Sequence, residues 1–382
     1  MKQEEISEEE LTALVGEKEL ERLKARIGVE FPCIPYHEEA TKDAIRHWSH
    51  GVGDANPLWS DEEYAKKTKY GCIIAPPIFL NSTSSARYGR EFGRGLPGWG
   101  DLHAGDEWEF FQVVRVGDRI SSTSKFVDNV FRRSAYGGIS AHHRFEILYR
   151  NQRGEVVAKR YALGIRTKRG TEETRKKYTE IKKPRYTEEE LKAIDEAYLR
   201  EEIRGSTPRY WEDVNVGDEL TPLVKGPLTS TDMITFVQGW GGHFFFAHGI
   251  GRAYQRAHPG ANVPDPETNM PDWPHRFHWD DSFARSVGLP GAVSYGAQSS
   301  AWIAHLLTNW MGDDGFLKKT NVVYSRPITI GDTVWVHGRV TSKDIHGSDH
   351  FVDFEVWIVS QRQEKVSRGS ATIILPSRGD FS

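Results

Sequence analysis

Only two cysteines, Cys33 and Cys72, occur in the 382 residues. One pair cannot staple a chain of this length into a disulfide framework, so a reducing compartment is expected. A surplus of charge is missing too, with a formal net charge of −4 and a pI near 6.4. Without a basic excess there is no footing for a phosphate backbone, and no nucleic-acid partner is expected. Long hydrophobic runs are absent. The longest, Cys72 to Leu80, is broken by Pro76 and Pro77 and is far too short to span a bilayer, so no membrane partner is expected. The opening MKQEEISEEE is acidic, unlike a secretory signal or a basic transit peptide. These absences together predict a cytoplasmic protein. Zinc-type spacing is lacking as well. His243, His248, His258, His275 and His278 contain no i,i+4 or His-x-His pair and have no cysteine nearby, so no metal is expected.

What is present is a chain with 38% hydrophobic and 27% charged residues, long enough for two ordinary cores. Ser7 and Glu10 form a capping-box pattern, predicting one helix that stops near Gly28. A second box, Thr187 with Glu190, opens a helix with the apolar stripe Leu191, Ile194, Ala197 and Tyr198, ended by Gly205. Between them, residues 166–185 are polar and basic; a solvated linker and a phosphate-binding arm are both open readings. The expected division is a helical extension (1–30), a first domain (31–167), a linker with a helix (168–208) and a second domain (209–378).

Both halves place Gly-Asp before an alternating run, at residues 114–127 and 328–342, and further strand-like runs follow in each. Each half thus reads as an early helix followed by an antiparallel meander. A helix wrapped by such a sheet is the hotdog arrangement, and the expected fold class is α+β, a double hotdog in one chain.

One spacing ladder occurs twice. His278 is followed by Asp280, Ala284, Gly288, Val293 and Gly296, at offsets 2, 6, 10, 15 and 18. Trp59 is followed by Asp61, Ala65, Ile74 and Pro77 at offsets 2, 6, 15 and 18. A duplicated module with one chemically disabled copy is the simplest reading.

GDANPLWSDEEYA (53–65) resembles the signature of MaoC-type, R-specific enoyl-CoA hydratases and dehydratases, and residues 278–296 resemble the rest of that signature. The first half is similar to the N-terminal dehydratase module of the fatty-acid-synthase type. The resemblance implies that an Asp and a His act on a water and on the α-carbon of a 2-enoyl thioester. It also implies that a backbone N–H at the start of the central helix holds the thioester oxygen. Such chemistry needs a base for water, a proton donor for the enolate-like carbon and a donor aimed at the developing oxyanion. In the first half, Asp54 and Asn56 are kept, but Trp59 cannot transfer a proton and Pro77 has no N–H. That half is expected to be structural, or the wall of an acyl tunnel, with Asp54 as a turn carboxylate.

In the second half, His278 stands at the catalytic position and Gly296 at the oxyanion position. Gly242 falls where the family's Asp belongs, and some 35 residues intervene before His278. Asp272 and His275, or His243 and His248, are candidate substitutes. Each has a plainer reading as a loop or surface residue, and Gly296 could be a close-packing glycine. Phe244, Phe245, Phe246, Trp273, Phe277 and Trp279 suggest an aromatic loop or lid over the site, which would suit a bulky acyl group.

The resemblance therefore implies a lyase that hydrates a 2-enoyl-CoA or dehydrates a 3-hydroxyacyl-CoA, the acyl-CoA thioester being its partner and a homodimer being possible. One alternative is an inactive acyl-CoA-binding or partner subunit. A hotdog thioesterase is disfavoured because GAQSSAWIAHLLTNWM, from Gly296, contains no carboxylate.

Overall fold

Alternating apolar and polar residues make the long runs of both halves antiparallel strands with one face on a core. The computed structural model describes residues 6–84, 96, 99–133, 139–168, 181–242, 245–265 and 267–381. The first half supplies β1 (Glu30–Pro32), β2 (Trp99–Phe110), β3 (Ser121–Arg133), β4 (Ile139–Arg150) and β5 (Val156–Lys168). The second supplies β6 (Leu223–Lys225), a two-stranded hairpin of β7 (Val263–Pro264) and β8 (Pro271–Asp272), then β9 (Phe316–Tyr324), β10 (Val334–His346), β11 (Asp349–Ser360) and β12 (Lys365–Leu375).

The two sheets join edge to edge into ten strands, ordered β1-β3-β4-β5-β2-β9-β12-β11-β10-β6. Each half has the same order, read outward from the seam between β2 and β9. Across that seam Asp106 lies opposite Val322, and Trp108 opposite Thr320. A two-fold axis through the seam therefore exchanges Asp106 with Thr320. Bulges obey it too: Ala104 is the extra residue in β2 against β5, and Lys318 the extra residue in β9 against β12.

The described helices are α1 (Glu8–Val15), α2 (Glu17–Lys24), α3 (Lys42–Val52), α4 (Glu62–Ala65), α5 (Glu188–Leu199), α6 (Ser230–Trp240), α7 (His248–Ala257), α8 (Asp281–Ser286) and α9 (Gly296–Met311). Helix α9 is buried along nearly all of its length and fills the second half of the sheet. Its counterpart in the first half is a 3₁₀ run, Pro77–Thr83, and residues 85–95 lie outside the described part. None of the described helices is long and apolar enough to cross a membrane.

Some local expectations need correction. Gly16, at φ +96°, splits the opening helix in two, and Glu10 turns to Arg133 in a two-bonded ion pair instead of closing a capping box. The Thr187–Glu190 box is closed as expected, but of the stripe on α5 only Ile194 is buried. The Gly-Asp pairs at 117–118 and 331–332 stand before strands as expected, in turns in which Asp118 and Asp332, and likewise Asp218, accept the N–H three residues earlier, at 2.8 Å. Of the basic linker, residues 169–180 are outside the described part.

Candidate active site

The repeated ladder is in large part scaffold. Asp61 caps α4, accepting from Glu63 and Tyr64 N–H, and Asp280 caps α8, accepting from Phe283 N–H. Ala65 and Ala284 are fully buried behind those caps. Ile74 and Val293 make matching single bridges to the neighbouring strand region, at Arg115 and Thr329. The first and last rungs differ chemically between the copies.

His278 is buried, with Nδ1 2.7 Å from the Val293 carbonyl oxygen. A carbonyl only accepts, so Nδ1 carries the proton and Nε2 keeps its lone pair. The imidazole lies flat on the Tyr295 ring, centroids 3.5 Å apart. Burial pushes its pKa well below the usual histidine value; the Val293 carbonyl opposes this and nearby His275 adds to it. A neutral imidazole with a bare Nε2 is a general base. Tyr295 is the N-cap of α9, so His278 sits at the start of the central helix. Gly296 is the first residue of that helix, where backbone N–H groups have no intrahelical acceptor and the helix dipole favours negative charge. A Cβ on Gly296 would stand 2.7 Å from the Tyr324 ring and 3.1 Å from His103 Nδ1.

Gly242 takes the place in the second half that Asp54 takes in the first. Gly242 N–H donates to the Val237 carbonyl at 2.9 Å, just as Asp54 N–H donates to that of Ser49 at 2.9 Å. Gly242 has φ +92°, a conformation that a side chain with a Cβ resists, so a carboxylate is sterically discouraged there. Of the candidate substitutes, His275 lies close to His278, the two rings 6.4 Å apart and almost parallel. Asp272 turns elsewhere, accepting from Trp273 N–H and lying 3.5 Å from an Arg276 nitrogen. His248 is exposed at the start of α7, and His243 lies outside the described residues, as does Phe244. Phe245 packs on His275, Trp273 and Trp279, giving this side an aromatic wall. Among the described residues no group of three or more His, Cys, Asp or Glu side chains could hold a metal ion.

In the first half the corresponding carboxylate is locked. Asp54 accepts from Trp59 Nε1 at 2.9 Å and from Asn56 N–H at 3.1 Å, and its Oδ1 lies 3.5 Å from His305 Nε2 on α9. His305 also meets Glu201 at 2.9 Å and the buried Lys225 at 3.2 Å. Burial brings Lys225 down to about 8, with Glu201 and Asp54 opposing. Beside this cluster is an apolar cleft lined by Leu58, Trp59, Pro77, Phe110 and Leu317.

One group escaped the sequence reading. On β2, Asp106 is fully buried and forms an ion pair with Arg160 at 2.7 Å; its Oδ1 is 3.0 Å from His103 Nε2. Its other oxygen accepts from Tyr324 on β9 at 2.7 Å, and the Tyr324 hydroxyl lies 2.6 Å from that of Ser300 on α9. Burial alone would push the Asp106 carboxyl up; Arg160, His103 and Tyr324 bring it to about 2. The signal available was a polar His-Ala-Gly-Asp stretch inside a run that is otherwise strand-like, a charge where a core strand should carry none.

A model described as the FAS1-like dehydratase domain region matches residues 25–160, and one described as the MaoC-like domain matches residues 275–358. The chain thus carries a FAS1-like dehydratase region in its first half and a MaoC-like domain in its second. Structurally the chain is similar to a MaoC-like dehydratase at TM-score 0.65 and 18% identity, over 93% of this chain and 99% of that one. It is also similar to a double-hotdog protein of Mycobacterium tuberculosis at TM-score 0.55 and 10% identity, over 91% and 96%. These likenesses establish the double-hotdog fold. In sequence it is 34% identical to a UPF0336 protein of Streptomyces coelicolor over 24% of this chain and 63% of that protein. It is 32% identical to a "Probable enoyl-CoA hydratase alpha subunit" of Thermomonospora curvata over 35% of this chain and 47% of that protein. The chain thus spans under two thirds of the length of these two curated relatives.

Proposed function

We propose that this MaoC-like protein is a hydro-lyase that adds water across the double bond of a 2-enoyl-CoA, or removes it from a 3-hydroxyacyl-CoA. The observation that carries the reading is the pairing of His278 Nδ1 with the Val293 carbonyl, which leaves a neutral, bare Nε2 beside the start of α9. In the hydration direction Nε2 takes a proton from water as the water oxygen bonds to C3. The π electrons move toward the thioester oxygen, which Gly296 N–H receives, and C2 then gains a proton. Names among the relatives, dehydratase and enoyl-CoA hydratase, support the same reaction class. No metal or bound cofactor is needed for it, since CoA is part of the substrate. The scarcity of cysteine, Cys33 and Cys72 alone in 382 residues, supports a cytoplasmic setting.

A second reading, an inactive acyl-CoA-binding or partner subunit, draws on the glycine at 242. The two readings separate in one assay: loss of enoyl-thioester absorbance with short, long and aromatic 2-enoyl-CoAs, for wild type and His278→Ala. The lyase reading expects turnover of one acyl class and a loss of about 10²–10⁴-fold in the variant with its fold kept. A wild type inert on every ester would leave the binding role.

A further inference from the structure

The proposed reaction needs two proton carriers, and position 242 supplies none. The group at the seam supplies a candidate. His103 Nδ1 would lie 3.1 Å from a Cβ on Gly296, so the imidazole borders the helix start that His278 borders through Tyr295. Its side chain is 27% exposed whereas Asp106 behind it is fully buried. Asp106 is an ionised acceptor, so the 3.0 Å contact fixes the proton on Nε2 and leaves Nδ1 as the atom that gains or gives one at the site. Arg160, 3.4 Å from the same Nε2, is held by Asp106 and by the Asn81 side-chain oxygen at 2.7 Å. Tyr324, held by Asp106 and Ser300, closes the other side of the dyad, its ring 5.1 Å from that of His103.

The two-fold axis supplies an internal control. It exchanges His103 with Leu317, Asp106 with Thr320 and Tyr324 with Phe110, the matching bulges keeping this register through Ala104 and Lys318. Leu317 and Phe110 line the apolar cleft beside Trp59 and Pro77. The imidazole–carboxylate pair therefore stands only beside the copy of the helix start that has an N–H, and its mirror positions are apolar or neutral. A charge pair kept for seam stability alone would have no reason to respect that difference.

Resting on the hydro-lyase reading, we propose that His103 is its second catalytic residue, delivering from Nδ1 the proton taken up at C2, with Asp106 as its positioning carboxylate. In hydration, His278 Nε2 gains the proton lost by water, the C3–O bond forms and the C2–C3 π bond breaks. The electron pair passes through the thioester to C2, which bonds the proton leaving His103. Solvent then returns one proton from His278 to His103. Dehydration is the exact reverse.

The test is the 2-enoyl-CoA assay on wild type, H278A, H103Q and D106N, with melting temperatures for each. H103Q is expected to lose roughly 10²-fold in kcat with KM within about threefold. C2 proton exchange of the 3-hydroxyacyl-CoA with D2O should slow in parallel. D106N should lose less and displace the pH profile of kcat, which a merely structural carboxylate would not do. Active wild type, inert H278A and H103Q within about threefold of wild type would overturn the role of His103 and leave the lyase reading standing. A wild type inert on every ester would overturn both. If H103Q does not fold, imidazole added to His103→Ala decides: partial return of turnover supports the role, and none counts against it.

Discussion

Trp59 Nε1 donates to Asp54 Oδ2 across 2.9 Å, so the carboxylate that survives in the first half is bound by the very side chain that stands where a histidine would act. Trp59→His is expected to give no second active centre, because Pro77 still lacks an N–H. Removing the buried indole should cost about 2–4 kcal/mol. Activity assays of Trp59→His on a His278→Ala background, with denaturant melts, check this; recovered turnover would refute it.

Gly296 tolerates no Cβ without displacing Tyr324, a ring pinned by Ser300 and Asp106. Gly296→Ala keeps the N–H yet should destabilise by about 1–3 kcal/mol through overpacking. Turnover should fall by more than the stability change explains, because His103 lies against the same atom. Melting temperature and kcat/KM measured together would show whether the two losses part.

Arg160 is buried against Asp106. Arg160→Met should cost about 3–5 kcal/mol, since it strands a buried carboxylate. Urea midpoints for wild type and variant give the answer, and a change below about 1 kcal/mol would mean that His103 and Tyr324 compensate fully.

His278 and His143 are both held neutral by burial, His143 near 4 and His278 well below 6.5. Unfolded, each binds a proton near 6.5. Their contribution to stability is thus whole above pH 6.5 and declines as pH falls toward 4, by up to about 1.4 kcal/mol per pH unit for each. Urea melts at pH 7.5, 5.5 and 4.5 should show a steeper decline in wild type than in His278→Gln. Equal slopes would mean that His278 titrates normally in the folded protein.

The ladder was legible because its rungs are local backbone chemistry. A capping Asp, a buried Ala behind it and a bridge residue recur at fixed offsets wherever the same turn is built. The glycine at 242 was found the same way, by counting along a helix and its cap. The seam was not legible. Both strands that form it, β2 and β9, went unread, and what His103 faces is set by which residue of β9 lies opposite Asp106. No periodicity within one strand encodes that pairing. The described part of the first half's counterpart to α9, opening on Pro77, is a 3₁₀ run to Thr83.

Where two identical chains meet on a two-fold axis, any substitution near the axis appears twice, and a change that helps one side must be tolerated by the other. Here β2 and β9 belong to one polypeptide, so His103 and Leu317 could diverge without compromise. Covalent linkage of the halves thereby removes the symmetry constraint on this contact. One face of the seam is free to become polar while its mirror image is free to become oily.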